Sequence, residues 1–247
     1  DLKQALIEAQ NDPEIRYVVW AGAGRAFSAG YDLDMAFSSP TDAPQTVWPA
    51  GLKADENISQ KLNTTREHDR IDVDAYTRMW QLTKPIIAAV HGYCIGGASM
   101  YVMACHMIIA AEDAVFAQAE VRMQAETSFF WTLKIGHINA LRYGLTGDHV
   151  GAQEMYRMGG VNAVVPVGEH VEAAFKLGER IALVAPETVK MNLQIVTKGL
   201  EMMGLRNALD MNAELQAMIH VSKREEWARP LDEAYDRGGL REYLQVR

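Results

Sequence analysis

Two stretches of the chain join a strand-like run to a cluster of small residues. They are Arg25-Ala26-Phe27-Ser28-Ala29-Gly30-Tyr31-Asp32-Leu33 and Gly92-Tyr93-Cys94-Ile95-Gly96-Gly97-Ala98. Glycine permits tight turns and lets backbone come close to a ligand, while a helix start leaves N–H groups unpaired and positively polarised. Two such ends side by side would form a pocket for an anion or a developing oxyanion. Small residues serve helix–strand packing equally well, and on residue type alone the two readings are even.

Other chemistry is poorly supported. Gly22-Ala23-Gly24 fails as a dinucleotide fingerprint because Phe27 stands where the third glycine belongs. The sequence has no P-loop, HExxH pair, EF-hand loop or GxSxG elbow, and Ser28 lacks the elbow's glycine frame. The histidines are scattered, and His91, directly after an apolar strand, reads as a hydrogen-bonded structural residue rather than a base. Cys94 and Cys105 are the only cysteines and show no ligand spacing, which argues against structural zinc and a disulfide framework and favours a reducing compartment. No metal is expected.

The elements that must position these groups follow from periodicity. Leu2, Ala5, Leu6 and Ala9 share a helical face, and Asn11-Asp12-Pro13 ends that helix before the strand Tyr17-Val18-Val19-Trp20. Residues 36 to 72 read as a polar surface loop or lid with a short helix near 56 to 66, followed by a helix from Asp74 to Leu82. Ile86 to Val90 and Met107 to Ala111 are apolar strands separated by a buried helix from Ala98 to about Cys105. A short strand at Val115 to Ala117, helices at 129 to 143 and 152 to 158, and a strand at Val161 to Val165 complete an alternating core. Beyond Glu169 the pattern is helical, at about 171 to 184, 187 to 203, 205 to 222 and 238 to 244. Leu205, Ala208, Leu209, Met211, Leu215, Met218 and Ile219 predict a wide apolar stripe.

Composition fits this reading. A chain of 247 residues permits one large α/β domain or a domain with an appendage. Scaling laws give a folded surface of roughly 11,000 Å² against about 40,000 Å² unfolded, so a sizeable core is available. The 49% apolar and 23% charged fractions exclude disordered and fibrous classes. A net charge of -8 argues against nucleic acid or anionic lipid as a partner of the whole surface. His106 and Glu112-Asp113 interrupt the longest apolar run, so no membrane insertion is expected.

The run GAGRAFSAGYDLD at 22 to 34, KPIIAAVHGYCIGG at 84 to 97, FAQAEV at 116 to 121, LTGD at 145 to 148 and VNAVVP at 161 to 166 together resemble the crotonase (enoyl-CoA hydratase/isomerase) superfamily. The resemblance spans nearly the whole chain. It implies an α/β fold with a crotonase-like spiral of ββα turns over residues 1 to 166, and a helical region over 167 to 247 for trimer contacts and cover. A homotrimer or dimer of trimers is the implied assembly. The family's early strands have no counterpart and the chain opens at Asp1 in a helical segment, so an upstream stretch is expected to be missing.

The resemblance also assigns roles. The backbone N–H groups of Tyr31 and Gly97 would form an oxyanion hole for a CoA-thioester carbonyl, with Gly30, Leu33 and Gly96 lining the CoA side. The carbonyl near Ala29 would contact adenine and Arg25 would approach the phosphates, while Asp32 would serve as a turn or helix-cap residue beside them. Hydratases of the family commonly use two glutamates. Here the first position is Met100, and the second is Glu120, the expected proton shuttle. The Pro-Gly-rich turn after that glutamate is replaced by Met123-Gln124-Ala125-Glu126-Thr127, where Glu126 is a second candidate carboxylate. Cys105-His106 stands where a Cys-Asp pair is frequent and reads as structural, and Phe129, Phe130 and Trp131 read as core rather than acyl pocket.

The expected activity is that of an acyl-CoA enzyme of the hydratase/isomerase type in fatty-acid metabolism, cytoplasmic or in an organelle. It would hold no permanent cofactor, coenzyme A arriving as part of the substrate. Hydrolysis or lyase chemistry on the same scaffold, or CoA binding without turnover, are the alternatives.

Overall fold

The computed structural model describes residues 2–31, 57–122, 128–222, 229–243 and 245–246. Asp32, Leu33 and Glu126, the turn at 123 to 127, and most of the expected lid lie outside these residues.

Helix α1 (Leu2–Asn11) leads into β1 (Val18–Ala21), the edge of a four-stranded parallel sheet. Its neighbours are β2 (Ile86–Val90), β4 (Met107–Ala111) and β7 (Ala163–Val165), in the order β1-β2-β4-β7. Every residue of β2 is buried, as expected of a central strand covered on both faces. The two-residue period divides its side chains. Ile86, Ala88 and Val90 join the main core, whereas Ile87 and Ala89 pack with Ile109 and with Ala174 of α6 (His170–Ala182) on the opposite face.

A second sheet holds β3 (Tyr93–Ile95), β5 (Val115–Ala117) and β6 (Val150–Gly151), with β3 and β5 parallel. The chain steps from the first sheet to the second after β2 and again after β4: β2 passes through His91-Gly92 to β3, and β4 through residues 112 to 114 to β5. After β1, Ser28 makes a parallel bridge to Cys94 of β3. Between β3 and β4 lies α3 (Gly97–Met103). This is the expected ββα spiral. Strands β3 and β6 were not separately predicted, because two or three residues carry too little periodicity.

The short helix expected near 56 to 66 and the one expected from Asp74 to Leu82 are both present but joined, which corrects the loop expected between them. Residues Ile58–Gln81 form one continuous helix, α2, capped by the Asn57 side chain, which accepts from the Gln60 N–H at 3.0 Å. The apolar pattern is hidden because the buried face carries Thr65 and Asp69 before Val73, Tyr76 and Trp80. These polar positions lie against α8 (Leu205–His220), and Arg66 and Arg70 of α2 hold Glu214 of that helix at 2.7 and 2.9 Å.

Helix α4 (Phe129–Thr146) begins at Ser128, breaks at Gly136 and ends at Gly147, and α5 (Ala152–Arg157) follows β6. Phe130 and Trp131 are wholly buried in the main core, as expected. Helix α7 (Pro186–Met202) precedes α8, and α9 (Arg229–Tyr243) starts nine residues before the predicted 238, with its break at Gly238-Gly239. The stripe predicted for α8 divides: Leu205 and Leu209 are buried with Ala213, but Met211, Leu215 and Met218 are 57%, 54% and 61% exposed. An apolar arc this wide is broader than one neighbouring helix can cover. No described helix is long and apolar enough to cross a membrane.

Candidate active site

The two small-residue segments meet. The Phe27 N–H donates to the His91 carbonyl at 2.8 Å, Ser28 N–H to the Tyr93 carbonyl at 2.8 Å, and Ile95 N–H back to the Ser28 carbonyl at 3.1 Å. The Ser28 hydroxyl then accepts from the Gly30 N–H at 3.2 Å. A β-carbon on Gly30 would sit 3.0 Å from the Ile95 carbonyl oxygen and 3.8 Å from the Gly96 α-carbon. The loop after β1 thus runs against the turn into α3.

Gly96 is the pivot of that turn. Its N–H donates to the Ala117 carbonyl at 2.9 Å, tying the start of α3 to the end of β5. Its backbone, at φ 64° and ψ -138°, lies in a region that residues with a β-carbon scarcely enter. Two residues beyond Ala117 begins a 3₁₀ turn, Ala119–Arg122, that carries Glu120. A β-carbon on Gly96 would run into Oε1 of Glu120, and one on Gly97 would lie 2.8 Å from the Tyr31 hydroxyl and the ring carbon bearing it. The glycine pair therefore has the Glu120 carboxyl against one α-carbon and the Tyr31 ring against the next.

Glu120 is 3% exposed, and neither carboxyl oxygen accepts a hydrogen bond of normal geometry among the described residues. Burial pushes its pKa up from the ordinary glutamate value to about 7, the N–H groups of Glu120 itself and of Gly97 pulling it partly back. Near neutrality such a carboxyl can give or take a proton, as a shuttle requires. The turn that holds it packs on the LTGD segment, where a β-carbon on Gly147 would meet a Val121 methyl at 2.8 Å.

Arg25 and Ala29 are exposed beside this junction, Tyr31 is 42% exposed, and Gly96 and Gly97 are buried. Met100 is also buried, and the Tyr76 hydroxyl donates to its sulfur at 3.5 Å. His91 bonds through Nε2 to the Gly24 carbonyl at 2.9 Å, and its ring lies 4.6 Å from that of His170, tilted by 32°. His106 accepts the Ile86 N–H at 3.0 Å and faces the Trp80 carbonyl at 3.2 Å, and burial lowers its pKa to about 4, so it is a neutral structural group. Sequence reasoning missed two buried polar groups near the site. Gln118, two residues before Glu120, has a carboxamide without a partner among the described residues, and Asp69 of α2 lies beside Met100. Only the second carried a signal: a carboxylate four residues after Thr65 and four before Val73, on the face those residues bury.

A family model described as Enoyl-CoA hydratase/isomerase matches residues 41–230. A Thermus thermophilus protein, itself named an enoyl-CoA hydratase only provisionally, is 31% identical over 88% of this chain and 80% of its own length. The mitochondrial enoyl-CoA hydratase of Pongo abelii is 30% identical over 82% of this chain, which spans 63% of that protein. The crystal structure of an enoyl-CoA hydratase/isomerase from Xanthobacter autotrophicus Py2 superposes with a TM-score of 0.82 at 28% identity, covering 98% of this chain and 84% of that one. With the spiral topology and the apposed small-residue turns already established, these matches identify the chain as a member of the enoyl-CoA hydratase/isomerase, or crotonase, family.

Proposed function

We propose that the chain binds an acyl-CoA thioester, stabilises its enolate through the backbone N–H groups of Tyr31 and Gly97, and uses Glu120 to move the proton. The observation that carries this reading is the buried Glu120 carboxyl pressed against Gly96, one residue from the first N–H of α3. That N–H has no acceptor within its own helix and is polarised by it. Enolate charge collects on the thioester oxygen, and each preorganised donor aimed at it is worth about 10²–10³ in rate. Exposed Arg25 and Ala29 stand at the mouth of the junction, where the CoA phosphates and adenine would lie; Gly30 and Gly96 form its wall.

The division at residue 166, with the helices beyond it serving assembly and cover, belongs to the same proposal. Exposed Met202, Met203, Met211, Leu215 and Met218 support a homotrimer or a dimer of trimers, since they offer apolar area for copies of the chain to bury. Two free cysteines, both buried, are consistent with a reducing, cytoplasmic setting.

The test is a panel of acyl-CoA and enoyl-CoA thioesters assayed for α-proton exchange with deuterated water, isomerisation and hydration. Glu120→Gln should lower the rate by about 10²–10⁴ with thioester binding largely kept. An unchanged rate removes Glu120 from the mechanism, and binding by the wild type with no turnover selects a non-catalytic CoA-binding role.

A further inference from the structure

Beside Met100, three residues beyond Gly97 on α3, lies a small cavity of about 20 Å³ between α2, α3 and α8, lined among others by Asp69, Asp72, Met100, Ser128, Asn212 and Gln216. That is room for about one water, which needs roughly 10–15 Å³ and two to four polar partners. Asp72 is engaged, because Oδ1 accepts from the Tyr101 hydroxyl at 3.0 Å. Asp69 is 6% exposed and its Oδ2 has no hydrogen-bond partner among the described residues. A buried carboxyl oxygen without a partner is costly in a fold, and the cavity it lines is large enough to supply one.

The position of the cavity relates it to the thioester site. Met100 follows Gly97 by three residues of α3, so it lies on the same helix face and about 4.5 Å further along the axis. The β-carbon of an enoyl thioester is two bonds beyond the carbonyl carbon that the Gly97 N–H would serve, a separation of the same order. Burial and the neighbouring Asp72 push the Asp69 carboxyl up to about 7, the range Glu120 occupies, so one carboxylate and one carboxylic acid can coexist at neutral pH.

We propose that Asp69, reaching in from α2, is the second acid/base group of the site and holds the water that adds to the β-carbon of an enoyl-CoA. The inference rests on the reading of Glu120 given above. As the water oxygen bonds to the β-carbon, one water O–H breaks and its proton passes to the Asp69 carboxylate. The alkene π pair moves to the α-carbon, where it takes a proton from protonated Glu120. The product is the 3-hydroxyacyl thioester, and exchange with solvent returns a proton to Glu120 and removes one from Asp69. The residue type at position 100 then needs no carboxylate, since the function enters from a different helix.

The experiment compares hydration of 2-enoyl-CoA thioesters with α-proton exchange of the saturated acyl-CoA, in wild type, Asp69→Asn and Glu120→Gln. Asp69→Asn should lower hydration by about 10²–10⁴-fold while leaving exchange within about threefold, whereas Glu120→Gln should lower both. Asp69→Ser replaces the amide if that variant does not fold, as judged by its thermal transition. Hydration unaffected by the Asp69 change, hydration and exchange falling in parallel, or a wild type that exchanges protons but hydrates no enoyl-CoA would each overturn the assignment and leave the Glu120 reading standing. A wild type that binds thioesters yet neither exchanges nor hydrates would overturn the Glu120 reading itself.

Discussion

The Glu120 carboxyl lies so close to the Gly96 α-carbon that the two positions are mutually exclusive with a side chain at 96. A backbone turn at the start of one helix therefore sets where a buried acid from a separate 3₁₀ turn can stand. The Gly96–Ala117 hydrogen bond, at 2.9 Å, locks the two together. The buried carboxyl and the first N–H of α3 are thus both referred to the backbone around Gly96, which is the geometry that the proposed shuttle and oxyanion donor would need.

Gly96→Ala should show this coupling. The alanine would have to occupy φ 64°, ψ -138° and displace the Glu120 carboxyl, so a loss of about 2–3 kcal/mol in unfolding free energy is expected from chemical denaturation. Proton exchange on acyl-CoA should fall with it. A variant of wild-type stability and rate would contradict the geometry at Gly96.

Glu120's contribution to stability should fall as pH rises from about 4.5 to 7, against buried His106, whose lowered pKa works in the opposite direction up to about 6.5. Glu120 binds its proton more tightly in the folded chain than in the unfolded one, so between those values the native state holds the extra proton, and raising the pH removes that advantage. Asp69 acts in the same direction over a slightly wider window, from 3.8 to about 7. Glu120→Gln should accordingly be more stable than wild type at pH 8, by on the order of 3 kcal/mol, and equal to it near pH 4. Denaturant titrations at the two pH values measure both differences, and a Glu120→Gln variant no more stable at pH 8 would mean that the buried carboxyl is not held at a raised pKa.

The exposed apolar face of α8 carries the third expectation. Replacing Met211, Leu215 and Met218 together by glutamine should leave the protomer's own core intact, since all three are more than half exposed. On the proposed assembly it should shift the particle from a trimer or hexamer to monomer in sedimentation velocity. Retention of the assembled mass would assign that face to some other role.

The residue order alone determined most of the frame. The run Ile86 to Val90 reads as a buried strand, because five consecutive apolar, partly β-branched residues call for cover on both faces, whereas the close approach of the two glycine turns, even with plain packing on residue type, was decided by the structure. The resemblance carried by those motifs reached the family and singled out Glu120. The two ends of helix α2 were legible, but its continuity through 67 to 73 escaped local reading because buried positions there are polar, and polarity at a buried position becomes intelligible only when the opposing helix is known. The same holds for Asp69 and Glu120: whether a carboxyl is an exposed loop charge or a buried proton carrier depends on desolvation by residues far away in the chain. Periodicity encodes which face of an element is apolar, but the distance between two elements and the water excluded between them exist only after they have packed.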